Sequence, residues 1–359
     1  MPQTNHGRAL SRPRTRALTT IAAAVLLAVP VAACSSSSDS ADTAVKSDHR
    51  YDLSGQKLRV GTAAEQTLDI GTSYAVELLK GWGADVDREE LTDVSGLQAI
   101  VADQIDVSSR SSDEVIDGQA QGVNLVAFGA PASAMHYALI GKPDIKSVAD
   151  LAGRSIATSG PGGFDTTLFD SLLKKEGLSR GKQVKEIAIG GSGERTAAVV
   201  AGQADASMVF LDDWLSLQNK TDNVGLIAYV ADLDPGLSAR TFAATREWLD
   251  GHKELATAVA CANLEANKWI NDDQEGYVAF TTSRIKGVTD DDVKKFRDEA
   301  MKLNMFPTDP AKVLSVEAYR TTENVMRDGG ALDKDVDVDK AVDTSYLEQA
   351  AKDGCGQNK

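Results

Sequence analysis

The residues best placed to do chemistry in this 359-residue chain sit in short polar loops. Thr158-Ser-Gly-Pro-Gly-Gly163 carries Ser159, Gly162 and Gly163. Its glycines let backbone N–H groups approach a ligand closely, and the helix start that follows favours negative charge. Gly190-Gly-Ser-Gly-Glu-Arg195 adds Ser192 and Arg195, whose guanidinium could clamp an acid group. Glu65, Gln66, Ser109, Arg110 and Ser111 are further polar candidates, and Asp212 and Trp214 close the set. Trp214 could stack on a planar or cationic ligand. This is chemistry for holding a molecule. The sequence has no Cys/His cluster, serine-nucleophile motif or phosphate loop, so no catalytic residue, cofactor or metal is expected. The same loops hold Glu65, Asp69, Asp113, Glu114, Asp165, Glu194, Asp212 and Asp213 against Arg110 and Arg195. That balance disfavours a strongly anionic ligand and leaves open an amphoteric, neutral heterocyclic or aromatic one.

A duplication positions these loops. AIVADQIDVS (99–108) returns as AVVAGQADAS (198–207), identical at six of ten positions. The match extends outward. Lys57–Thr62 and Gly153–Thr158 read as strands ending in small-residue loops, and TSYAVELLKGWG (72–83) and TTLFDSLLKKEGL (166–178) as helices with glycine stops. Short strands follow near 88–91 and 183–189, then polar turns, then the twin phrase. Each half is β-loop-α-β-loop-α-β, which right-handed crossovers fold into a parallel sheet with helices on its faces. Ligands of such sheets bind beyond the carboxyl ends of the strands. Two of them facing each other would present six loops to one cleft: 62–69, 92–96, 108–114, 158–166, 190–195 and 210–214. The segments 129–142 and 231–249 read as extended connections between the halves. Helices are expected over 252–269, 290–303, 313–326 and 345–350, packing on the first half.

The amino terminus suggests export. Arg8, Arg12, Arg14 and Arg16 precede an apolar stretch from Ala17 to Val31, too short for a stable membrane span. It ends in Val31-Ala-Ala-Cys34, which resembles a bacterial lipoprotein signal, with Cys34 the residue to be lipidated and residues 1–33 removed. SSSSDSADTAVKSDHR then reads as a flexible tether over 34–52. Loss of the four arginines leaves 34 basic against 53 acidic residues, a formal charge of −19. Such a body is repelled by nucleic acid and anionic lipid, so membrane attachment should come from the lipid. Cys261 and Cys355 remain, either as buried thiols or as the disulfide expected of an even pair in an exported protein.

From about Leu58 to Ala351 the chain resembles the solute-binding proteins of ABC importers, in the nitrate/alkanesulfonate/taurine group. The resemblance is carried by SVADLAGRSIATSGPGG (147–163), GERTAAVVAGQADASMV (193–209), ATREWLDGHKELATAVACANLEANKWI (244–270) and VDTSYLEQA (342–350). It implies a two-lobed, type II periplasmic-binding-protein-like α/β fold: lobe 1 from 53–135 plus 232–359 with the C-terminal helices, lobe 2 from 136–231. It also implies a monomer that closes over one small organic solute, sulfonate-, nitrate- or taurine-like or thiamine-precursor-like, and delivers it to an ABC permease and its ATPase at the outer face of the membrane. His136 falls at the first crossover, where hinge residues of the family line the cleft. Two alternatives stay open on the same scaffold: a ligand-sensing surface lipoprotein, and an enzyme like those that make a thiamine pyrimidine.

Overall fold

A computed structural model describes residues 50–357 except Asp93 and Asn219. The expected leader, Cys34 and most of the tether lie outside the described residues. Among those described, no helix is long and apolar enough to cross a membrane.

The first half runs β1 (Lys57–Thr62), α1 (Ile70–Gly81), β2 (Asp85–Glu90), α2 (Gly96–Val101), β3 (Val107–Arg110), α3 (Asp113–Ala120) and β4 (Leu125–Ala132). The second begins with β5 (Tyr137–Gly141) and continues β6 (Ser155–Thr158), α4 (Phe164–Lys175), β7 (Lys185–Ala188), α5 (Ser192–Val200), β8 (Ala206–Phe210), α6 (Leu211–Leu217), β9 (Gly225–Tyr229) and α7 (Val230–Leu233). Strand β10 (Arg240–Thr245) then leads to α8 (Arg246–Gly251), α9 (Lys253–Asp272), α10 (Gln274–Arg284), α11 (Asp290–Lys302), α12 (Pro310–Val313), α13 (Val316–Asp328), α14 (Val338–Ala341) and α15 (Ser345–Lys352).

These strands form two five-stranded mixed sheets, ordered β2-β1-β3-β10-β4 and β7-β6-β8-β5-β9. In each, three strands of one half run parallel, and a single strand lies antiparallel beside the third. The physical role of the twin phrase is visible here. Its aspartate turns back to the start of the first parallel strand of its own half: Asp106 accepts from the Arg59 amide and Asp205 from the Ser155 amide, both at 2.8 Å. Ser95 and Gln98 cap α2 reciprocally, so the strand-to-helix turn is set locally.

The segments read as plain connections each contain a strand instead. From 129–142 comes β5, which joins the second sheet, and from 231–249 comes β10, which joins the first. Each sheet thus takes its antiparallel strand from the chain entering or leaving the other, and the link between the halves is built into both sheets. Four of the six expected loops are also cut short by regular structure, because β3 continues through Arg110 and α4, α5 and α6 begin at Phe164, Ser192 and Leu211.

The C-terminal helices do not all pack on the first half. Helix α9 lies against α1 and β4, with α15 beside it, and an alanine-rich buried face permits that close approach. Helix α11 packs on α6 of the second half, where Phe296 and Ala300 share a core with Trp214 and Leu215. Helix α13 touches both α3 and α4, one from each half. Cys261 in α9 and Cys355 in the tail form a disulfide. Close by, Tyr51 donates to Asp353 at 2.9 Å, and Arg50 pairs with Glu265 at 3.2 Å. Cys261, Glu265 and Cys355 lie together, but the bonded sulfurs offer no thiolate to a metal.

Candidate functional site

A cavity of about 380 Å³ opens where the two sheets meet, near the lower end of the range for small-molecule sites, roughly 300–1,000 Å³. Its walls come from the ends of the strands. Ala63, Ala64 and Gln66 follow β1, Leu91 and Thr92 follow β2, and Arg110 and Ser111 end β3. From the other side come Met135, His136 and Tyr137 entering β5, Phe210 ending β8 and Phe164 opening α4. Ala239 and Arg240, at the start of β10, line it as well. Because β5 and β10 run antiparallel, their first residues lie level with the carboxyl ends of the parallel strands. All these groups therefore converge at the sheet end where open α/β folds bind ligands.

The two wall arginines already have partners. Arg240, 7% exposed, donates from Nε to Asp69 Oδ1 at 2.6 Å and from Nη2 to Oδ2 at 3.3 Å, with Nη1 on the Ala239 carbonyl at 3.1 Å. This two-point clasp fixes the guanidinium plane. Arg110 donates from Nε to Glu114 at 3.2 Å and from Nη1 to the Leu91 carbonyl at 3.3 Å.

The aromatic wall is a three-ring cluster. The His136 ring packs against Tyr137 and Phe210, with centroids 4.7 and 4.8 Å away and interplanar angles of 28° and 29°, and those two rings touch each other at 5.4 Å. His136 is 4% exposed, and neither ring nitrogen has a hydrogen-bond partner among the described residues. Burial, helped by the Arg240 charge, pushes its pKa well down, so the ring is neutral near pH 7. A neutral imidazole offers one donor and one acceptor.

A second cavity, of about 340 Å³, adjoins the first and shares the Phe164 wall. Asp113 and Asp117 of α3, Gly162, Thr167 of α4 and Met326 and Gly329 at the end of α13 enclose it, along with Asp170, which Arg180 pairs at 2.7 Å. One Asp113 oxygen is buried without a partner. Burial raises the Asp113 pKa against the pull of Ser111 and Arg110, and burial together with Asp113 raises Asp117 to about 6.

Of the residues singled out in the sequence, the structure brings Gln66, Arg110, Ser111 and His136 to the first cavity and Gly162 to the second. The others lie elsewhere. Glu65 accepts from Ser73 at 2.5 Å and pairs with Arg88 at 3.3 Å. Ser109 is buried against the Thr72 hydroxyl at 2.9 Å. Ser159 donates to Asp165 and also takes that carboxylate on its amide at 3.0 Å, which folds the Gly160–Gly163 loop onto itself. Gly163 caps α4. Ser192 donates to Asp213 at 2.5 Å and accepts from the Phe210 amide at 2.7 Å. Arg195, read as a clamp, is 3% exposed: its guanidinium holds the Gly190 and Met208 carbonyls and faces Asp165 at 3.8 Å. Asp212 starts α6, with its pKa raised to about 6 by burial and by Asp213. Trp214 is core, 5% exposed among Leu215, Phe296 and Ala300. Sequence reasoning passed over Tyr137, Phe164, Phe210 and Arg240, and counted Asp69 only among the loop acids. Tyr137 directly follows His136, and Phe210 opens a loop already singled out. Arg240 had no local signal.

Solved structures share the architecture. A protein of Bordetella bronchiseptica RB50 is 21% identical, with a TM-score of 0.67 over 82% of this chain and 97% of that one. The periplasmic aliphatic sulphonate binding protein SsuA of Escherichia coli is 19% identical, with a TM-score of 0.64 over 80% and 92%. The periplasmic nitrate-binding protein NrtA of Synechocystis PCC 6803 is 16% identical, with a TM-score of 0.64 over 83% and 88%. No curated protein sequence matches the chain. These likenesses show the periplasmic binding protein fold. The family described as NMT1/THI5 like matches residues 78–276, more than half of the chain and every element from β2 to β10, and the protein belongs to it.

Proposed function

We propose that the protein is the extracytoplasmic solute-binding component of an ABC importer, capturing one small organic solute between its two sheets. The observation that carries this reading is the buried, unpartnered His136 ring in a cavity walled by both halves. An imidazole held without partners costs free energy, and a solute that supplies a donor and an acceptor removes that cost. A ligand touching both halves also favours their approach, as lobe closure requires. The leader, lipidation at Cys34 and delivery to a permease complete the proposal and rest on the sequence and on the fold's known relatives.

Native mass spectrometry of the purified chain, with and without denaturing, tests the reading. A small molecule held at one to one, whose removal expands the particle in small-angle scattering, supports it. A chain that carries nothing and changes neither melting temperature nor shape across a broad solute library sinks it. Turnover of the captured molecule would point to an enzyme instead.

A further inference from the structure

Resting on that reading, we infer that the solute is a planar, N–H-donating compound, cationic or neutral, with its ring in the first cavity beside His136 and its donor end turned toward Asp113 in the second. Two independent observations converge on it. His136 carries two buried, unpartnered nitrogens on the cavity wall, beside Tyr137 and Phe210 in an aromatic cluster that offers ring faces and edges to a flat guest. Past Phe164, the buried Asp113 oxygen has no donor of its own.

Charge around the cavities sets the sign. Arg240 is matched by Asp69, Arg110 by Glu114, Arg195 by Asp165 and Arg180 by Asp170. Asp113 and Asp117 remain without a cation of their own in these pairings, and burial lifts the pKa of each. An oxoanion entering here meets arginines whose charge is already balanced and must lie near surplus carboxylates, an uncompensated burial that is costly. A cation or a bare N–H donor completes what the walls lack.

Three probes of one shape decide the matter: benzamidine, a cation at pH 7.5, neutral benzamide and anionic benzenesulfonate, each titrated calorimetrically into the full chain freed of solute. The expected order is benzamidine tighter than benzamide by about tenfold or more, with benzenesulfonate weakest. Asp113→Asn should remove the benzamidine preference, bringing its affinity down to that of benzamide. If that variant does not fold, competition between benzamidine and benzamide on the unaltered chain takes its place. Benzenesulfonate binding as well as benzamidine overturns the inference, as does an unchanged preference in Asp113→Asn or benzamide displacing benzamidine on equal terms. An oxoanion carried through purification would overturn this solute class yet leave the solute-binding reading intact. Failure of all three probes also overturns the class, whereas the absence of any captured solute removes the reading beneath it.

Discussion

Gly329 offers the sharpest test of closure. It caps the C-terminal end of α13, the helix that touches α3 from the first half and α4 from the second. Its φ is −77°, so alanine can adopt the backbone without strain. Space forbids it. A Cβ there would lie 2.7 Å from Thr167 Cγ2, 3.1 Å from the Thr167 carbonyl carbon, and closer still to the carbonyl oxygen. Thr167 is buried in the first turns of α4, so the obstacle is helix backbone and not a side chain that can swing aside. Overpacking of this kind costs about 1–3 kcal/mol. The neighbouring Lys174–Asp328 pair at 2.8 Å is exposed and adds little to hold the contact. Separation of α13 from α4 relieves the clash, and the penalty then falls on the closed state alone. Gly329→Ala should weaken solute binding by roughly 5- to 150-fold and leave the melting temperature of the solute-free protein nearly unchanged. Calorimetric titration with the co-purified solute, beside scattering of the free and bound forms, reads both effects. Gly251→Ala, where a Cβ meets nothing within 4 Å, is the control. A variant that melts earlier but binds with full affinity would refute the argument, because the α13–α4 contact would then persist in the open state.

Three further outcomes follow from the packing. Replacing both Cys261 and Cys355 by alanine opens a bridge spanning 94 residues and should cost about 2–4 kcal/mol, a loss of about 3–6 °C in melting temperature for a body of this size; an unshifted melt would show that the tail is held by its other contacts. Arg195→Ala strands the buried Asp165 and two carbonyls and should destabilise by about 3–5 kcal/mol, seen as a lower urea midpoint; weaker binding at unchanged stability would place the guanidinium at the solute after all. Asp117 and Asp212 have folded pKa values of about 6 against an ordinary 3.8, so between about pH 6 and 4 the folded state binds protons that the unfolded chain does not. Stability should therefore rise as pH falls from 7 to 5; a lower urea midpoint at pH 5 than at pH 7 would contradict this.

The architecture was legible because its signal repeats. Strand, glycine-stopped helix and the AxVAxQxDxS phrase occur twice in the same order, and the phrase has a backbone reason: its aspartate ties down the first strand of each half. The cysteine pair was readable from its number and the expected compartment. The antiparallel strands were not, because AMHYALIG and ARTFAAT are short and lack a clean alternation of apolar and polar residues. Their pairing is fixed by the neighbouring sheet, which a local reading cannot see. The site was half legible. Loops were located at the correct sheet end, yet composition could not reveal which polar groups satisfy one another. Ser159 looks free until Asp165, six residues on, folds back to it. Arg240 looks incidental until Asp69, 171 residues away, fixes it at the cavity wall.

The asymmetry of the cleft follows from the same duplication. Equivalent loops began with equivalent geometry, but the second half turns its polar groups on itself: Ser159 on Asp165, Ser192 on Asp213, Arg195 on Gly190 and Met208. What it still shows the cavity is aromatic, Phe164 and Phe210, with His136 and Tyr137 from the incoming crossover. The first half keeps Gln66, Arg110 and Ser111 on the wall. One side thus supplies an aromatic surface, and the other sets polar groups among the small apolar residues Ala63, Ala64 and Leu91. A rigid planar solute can satisfy both at once, because stacking sets the plane of its ring while the polar groups set its rotation within that plane. A flexible aliphatic solute would meet the polar groups yet cover the aromatic face less fully, forgoing contact area that the second half contributes to closure. Two copies of one scaffold that differ in this way bind a two-faced guest better than identical halves could, since each wall needs to match only one of its faces.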